Sequence, residues 1–189
     1  MASFPVVLDA CVLYPLLYRD FLLYAGLVDP RLYEPVWSDE ILDEMSRNLI
    51  ADGRITAEKA QVLAARMNRA FPDARRNPPA DLIAAMTNDP KDRHVLATAV
   101  LAGAEVIVTD NLVHFPEEGL KPYGIEAQSP DKFLQHLLSL NRGAVVAIAQ
   151  RLIAQYRRPP FTAESLIQAL ADKTPGFAYA LGQAFGIPI

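Results

Sequence analysis

Cysteine is almost absent from this chain. Cys11 is the only one in 189 residues, so neither an intramolecular disulfide nor a multi-cysteine zinc site can form. Histidine is scarce too, and His94, His114 and His136 lack the spacing of zinc ligands, so any metal is expected to be held by oxygen. No apolar stretch approaches the roughly 18 residues that mark a membrane span, and no membrane partner is expected. The opening Met1 to Leu13 has no basic region, and Asp9 interrupts its apolar run, which argues against a signal peptide and for cytoplasmic residence. An excess of positive charge is also missing. The net charge of −4 speaks against a surface coated for bulk nucleic-acid binding but leaves room for a local groove. Arg75-Arg76 and Arg157-Arg158 each precede a Pro-containing turn and read more readily as solvated side chains than as phosphate contacts.

What is present is an alternation of short β-branched runs with amphipathic segments, which implies an α/β domain with a parallel sheet. Phe4 to Leu8 reads as a buried strand ending in Asp9, Glu34 to Trp37 as a short second strand, Glu105 to Thr109 as a third, and Ile125 to Gln128 as a fourth. Leu13 to Leu27 is helical in composition. Ser38 reads as the cap of a helix whose apolar face is Ile41, Leu42, Met45 and Leu49, and Thr56 as the cap of another reaching Phe71. Pro72 to Pro79 reads as a loop. Asp89-Pro90 carries start signals for a helix ending at Gly103, and Ser129-Pro130 opens one that runs to about Leu140. Beyond Asn141 no strand pattern occurs, and three helical stretches are expected around 144–156, 163–171 and 177–185.

The acids stand out against this frame. Asp9 follows a buried strand, Glu44 lies on a helix stripe with Glu40 four residues earlier, Asp92 sits at a helix start, and Asp110 follows Val106 to Thr109. Carboxylates at strand ends and helix starts gather at one edge of an open α/β sheet, where a hard cation such as Mg²⁺ or Mn²⁺ takes oxygen ligands. Each acid also has a plain structural reading. Asp89 serves as a helix cap, Asp92 favours a helix N-terminus, Asp110 begins a turn with Asn111, and Asp39, Glu40, Asp43 and Glu44 form a wet helix face. A phosphatase of the haloacid-dehalogenase type needs a second Asp two residues after the first, where Cys11 stands.

The motifs taken together resemble the PIN-domain nucleases. Val7-Leu8-Asp9-Ala10-Cys11-Val12-Leu13 is similar to their opening strand, and Ile41-Leu42-Asp43-Glu44-Met45 to their helix glutamate. Asp89 to Ala99 is similar to their third-acid helix, and Val108-Thr109-Asp110-Asn111 with His114-Phe115-Pro116 to their fourth motif. The resemblance covers roughly residues 4 to 138. It implies a three-layer α/β/α fold over residues 1–138 with a helical C-terminal extension over 139–189. Asp9, Glu44, Asp92 and Asp110 would be catalytic metal-site acids for Mg²⁺ or Mn²⁺, with Thr109, Asn111, Arg93 and Glu40 contacting substrate or supporting those acids. The fourth position departs from the pattern, because Asn111 stands where many PIN domains have the acid and Asp110 precedes it. By resemblance the chain would be a VapC-like toxin ribonuclease that acts on RNA, pairs with a small VapB-like antitoxin and forms a homodimer. The alternative it implies is a PIN-like module with a decayed metal site that binds RNA or protein.

Overall fold

The computed structural model describes residues 4–157 and 160–187, so Arg158 of the second arginine pair lies outside the described residues. Strand β1 (Pro5–Leu8) is followed at once by the single-turn helix α1 (Ala10–Leu13) and, past Pro15, by α2 (Leu16–Leu27). Next come β2 (Glu34–Val36), α3 (Asp39–Ala51), α4 (Ala57–Ala70), α5 (Ala80–Ala85), α6 (Arg93–Ala102) and β3 (Val106–Val108). After β3 the chain makes a 3-10 turn at Leu112–His114, the short helix α7 (Glu117–Leu120) and β4 (Glu126–Gln128). Helices α8 (Pro130–Leu140), α9 (Arg142–Gln155), α10 (Ala163–Ala171) and α11 (Pro175–Phe185) complete it. The fold is the expected one: a central parallel sheet with flanking helices and a helical C-terminal region, consistent with the PIN-like α/β/α class.

The strands run in the order β2-β1-β3-β4, all parallel, with Val7 opposite both Val36 and Ile107, and Val108 opposite Gln128. Strand β1 must be apolar on both faces because it is central, and Val6, Val7 and Leu8 are all fully buried. Pro35 is tolerated in β2 because that strand lies at the sheet edge. From β1 the chain steps outward to β2, then crosses back over β1 to reach β3. The order therefore reverses between β1 and β3, and the crevice at their C-terminal ends is where open α/β sheets bind ligands.

Contacts divide the chain into two units, each discontinuous in sequence. One consists of residues 1–15 and 34–128 and holds the sheet with α1 and α3 to α7. Its core includes Trp37 edge-on to Phe71, with the indole N–H donating to Asn68 Oδ1 at 2.9 Å. The other consists of residues 16–33 and 129–189 and joins α2 to α8, α9, α10 and α11. There Phe21 meets Phe177 edge-on at 5.2 Å, Tyr33 meets Phe133 at 5.1 Å, and the Tyr18 hydroxyl donates to the Leu170 carbonyl. The contacts group α8 with the later helices, since its buried Phe133, Leu134 and Leu137 belong to that helical core.

Two local expectations are corrected. Helix α6 begins at Arg93, because Asp89 caps a turn before it: its Oδ1 accepts from the Lys91 N–H at 3.0 Å, and the Asp92 N–H returns to the Asp89 carbonyl. The Leu13 to Leu27 segment is broken at Pro15, since α1 takes its first turn directly from Asp9. No single helix among the described residues is long and apolar enough to cross a membrane.

Candidate active site

Asp9 leaves β1 with its backbone N–H bonded to the Val108 carbonyl of β3, which pins it to the switch point of the sheet. It caps α1: Oδ1 accepts from the Ala10 N–H at 2.6 Å. Oδ2 accepts from the Thr109 hydroxyl at 2.6 Å and from the Cys11 thiol at 3.2 Å. Thr109, also fully buried, accepts in turn from the Asn111 N–H at 3.0 Å, while the Asp110 N–H donates to Cys11 Sγ at 3.2 Å. One buried carboxylate, one hydroxyl and one thiol thus tie the ends of β1 and β3 together. Burial pushes the Asp9 carboxyl above its ordinary range, the Thr109 and Cys11 hydrogen bonds pull it back, and the charge of Asp92 adds to the rise. Burial, with the charge of Asp9, likewise raises the Cys11 thiol, which stays protonated and acts as a donor.

Glu44 reaches this place from α3, whose start is fixed by Ser38 Oγ accepting from the Ile41 N–H at 3.2 Å. Its carboxyl is raised by partial burial and by the charges of Asp9 and Asp92, while His94 and Arg47 oppose the rise. Asp92 is the N-cap residue of α6, yet its side chain makes no capping hydrogen bond. Its Oδ2 lies 2.7 Å from His114 Nδ1 instead. The helix-start reading of Asp92 is therefore insufficient, because the carboxylate is turned away from the orphan N–H groups it would otherwise satisfy. His114 is brought there by the 3-10 turn and by its carbonyl, which accepts from the Asp89 N–H.

Of the expected residues, Asp9, Glu44 and Asp92 share one electrostatic neighbourhood, with Thr109 holding Asp9. Asp110 and Asn111 are exposed at the end of β3; their backbone N–H groups brace Cys11 and Thr109. Arg93 points its Nε at the Asn88 carbonyl at 3.5 Å, and the exposed Glu40 lies 3.9 Å from His94 Nδ1. Among the described residues, the three groups whose possible ligand atoms all lie within 4.8 Å of one another are Asp89, Asp92 and His114. In the sequence Asp89 reads as a helix cap, and His114 stands in the fourth motif without an assigned role. The available signal was their chain position, one just before the third acid and the other three residues after Asn111.

The donor set fits a divalent cation. Burial first, and then the charges of neighbouring acids, raise the Asp9 and Glu44 carboxyls, as expected of acids gathered at one site. His94 adds a buried Nε2 with no hydrogen-bond partner, 3.7 Å from Glu44 Oε2. Asp9, Glu44 and Asp92, together with Asp89 and His114, are the groups available to hold the ion.

The family model of the PIN domain matches residues 5–112, the stretch that carries the sheet switch point and every residue just described except His114. The chain belongs to the PIN-domain family. A second family model, the VapC50 C-terminal domain, matches residues 130–183, which fall in the helical unit. A curated relative named "Putative ribonuclease VapC50", from Mycobacterium tuberculosis, is 49% identical over 115 residues, covering 58% of this chain and 68% of the relative. No solved structure matches the chain significantly. This PIN domain thus carries three of its expected acids at one site, and His114 contacts the third of them.

Proposed function

We propose that this chain is a Mg²⁺- or Mn²⁺-dependent endoribonuclease that hydrolyses RNA phosphodiester bonds, and that it is the toxin of a VapBC-like pair. The observation that carries this reading is the placement of Asp9, Glu44 and Asp92 at the sheet switch point, where Asp92 is spent on His114 rather than on its own helix. Asp9, Glu44 and Asp92 would hold the cation. When bound, it polarises the scissile phosphate and lowers the pKa of water for attack on phosphorus. The Thr109 hydroxyl on Asp9 and the His114 ring against Asp92 would limit the freedom of those two carboxylates as they take up the ion. Hydrolysis of this kind leaves 5′-phosphate and 3′-hydroxyl ends. RNA in a single-stranded loop is the proposed substrate, since unpaired backbone can bend toward a metal site.

The relative's name as a ribonuclease and the VapC50 C-terminal match support the VapC-like ribonuclease reading. By the resemblance, such a toxin would act on cytoplasmic RNA, with a small VapB-like antitoxin and a second copy of itself as partners. The test is cleavage of structured RNA by purified protein with Mg²⁺ or Mn²⁺, compared with Asp9→Asn and Asp92→Asn. Each variant is expected to lose about two orders of magnitude or more in rate, the scale of removing a group that stabilises transition-state charge. Undiminished cleavage in both variants, or cleavage that persists in EDTA, defeats the mechanism. RNA binding with no cleavage in any variant or metal would favour the non-catalytic module.

A further inference from the structure

A polyanionic substrate meets an electrostatic obstacle at this site. Asp9, Glu44 and Asp92 carry three negative charges when ionised, and one divalent ion returns only two. An RNA strand adds a negative charge at every linkage, so a fixed cation beside the ion is what draws it in. Two groups oppose the rise of the Glu44 carboxyl, His94 and Arg47. His94 is 4% exposed, which closes it to a strand arriving from solvent. Arg47 is exposed.

Helix geometry carries Arg47 to the same face as the acid. Glu40, Glu44 and Arg47 follow the i, i+4, i+7 stripe of α3, and residues three apart on such a stripe have Cβ atoms about 5–6 Å apart. The guanidinium is also uncommitted. Asp43 stands four residues before it and Glu44 three, yet among the described residues Arg47 takes no ion pair with either. Arg75, by contrast, is spent on Asp39 through two hydrogen bonds. Arg93, the arginine expected to contact substrate, is half-buried and turns its Nε to the Asn88 carbonyl at 3.5 Å. A guanidinium stays charged across the whole working pH range and presents a planar fork that matches two phosphate oxygens.

We propose that Arg47 binds the RNA phosphate that flanks the scissile linkage, and that it sets how tightly the strand is held rather than how fast the bond breaks. The inference rests on the ribonuclease reading above and deepens it. It moves the expected substrate contact from Arg93 to Arg47. Phosphate is the same at every linkage, so the contact positions the strand without reading its sequence.

The experiment uses the full chain with Mn²⁺ on a short RNA that contains a bond the wild type cuts. Cleavage is compared for the wild type, Arg47→Gln, Arg47→Lys and Arg69→Gln, the last removing an exposed cation of α4 that does not figure among the charges acting on Asp9 or Glu44. Arg47→Gln is expected to raise KM about 10- to 100-fold and to change kcat less than about threefold. Its slope of log affinity against log salt is expected to fall by about 0.7, the single-strand value for one phosphate. Arg47→Lys recovers part of the affinity, because it keeps the charge and loses the fork, and Arg69→Gln stays within about twofold of the wild type. The deciding arm replaces one flanking phosphate with an uncharged methylphosphonate, first on the 5′ side of the cut and then on the 3′ side. In the wild type one replacement is expected to cost about as much as Arg47→Gln does, and the two changes together to cost no more than either alone. Independent, additive losses overturn the assignment, as does a wild type indifferent to both replacements or an Arg47→Gln enzyme with unchanged KM; each of these leaves the nuclease reading standing. A wild type that cuts no RNA with Mn²⁺ or Mg²⁺ overturns both.

Discussion

At the residue scale the site turns on how Asp9 is held. Replacing Thr109 with Val removes the hydroxyl that donates to Asp9 Oδ2 and accepts from the Asn111 N–H, leaving both without that partner in a buried place. The expected cost is about 1–3 kcal/mol in urea unfolding and a 10- to 100-fold loss of Mn²⁺ affinity, with Thr109→Ser restoring most of both. The acid itself gives a pH test. The folded-state pKa of Asp9 lies above its ordinary value near 3.8, so the folded protein binds more protons than the unfolded chain in the window above that value. Stability therefore falls as pH rises through this window and gains as pH drops toward 3.8. In EDTA, Asp9→Asn is expected to melt higher than the wild type at neutral pH, by about 2–4 °C for each 1 kcal/mol of relieved strain, with the margin shrinking on acidification. A margin that grows toward low pH would contradict the raised pKa. Asp9 was legible in the sequence because an acid closing a buried strand has no solvation excuse. His114 was not, because its contact with Asp92 depends on a 3-10 turn that spacing does not encode.

At the element scale, caps and chain stops were read well and helix starts less so. Ser38, Thr56 and Ser129 each cap the helix they were expected to cap, since a side-chain oxygen three residues before a backbone N–H is a local interaction. Helix α5 was not anticipated, because none of its six residues is buried and no apolar period marks it. The Asp89-Pro90 signals were real but served a turn whose geometry is set by the distant His114 carbonyl. Glycines give two predictions of opposite sign. Gly103 ends α6 at φ +62, so Gly103→Ala is expected to destabilise by about 1 kcal/mol through backbone strain although nothing lies within 4 Å of the added methyl. Gly143 lies within α9, and a methyl there meets only Asn141 Oδ1 at 3.7 Å. Gly143→Ala is expected to stabilise by about 0.5–1 kcal/mol. Urea midpoints that move in opposite directions with unchanged slopes would bear this out, and a destabilising Gly143→Ala would refute the reading of α9 as regular helix.

At the scale of the whole molecule, α2 is the element that shares a unit with the last fifty or so residues. That helix, only seven residues after Asp9, belongs to the same unit as α8 to α11. Phe21 and Leu22 are fully buried, Phe21 stacks edge-on against Phe177, and Tyr24 donates to Gln155 Oε1 at 2.8 Å. The Tyr156 hydroxyl donates to Asp20 Oδ2 at 2.9 Å, and the Arg151 guanidinium lies 4.4 Å from the Tyr24 ring centre. Cutting the chain after residue 138 removes Phe177, Gln155, Tyr156 and Leu170 together, uncovers an apolar face of α2 and takes away the hydrogen bonds that Tyr18, Asp20 and Tyr24 make to those residues. Exposed contiguous apolar surface of this kind drives association. The 1–138 fragment is therefore expected to bind a hydrophobic dye strongly, elute as aggregates in gel filtration and lose a sharp melting transition, even though every proposed metal-site residue is present. A fragment that stays monodisperse and melts cooperatively would show that the helical region is separable and that the α2 contacts contribute little. Supplying residues 139–189 as a second chain distinguishes the two cases further: recovery of a single cooperative transition on mixing is expected if the two halves of the helical core recognise each other without the covalent link.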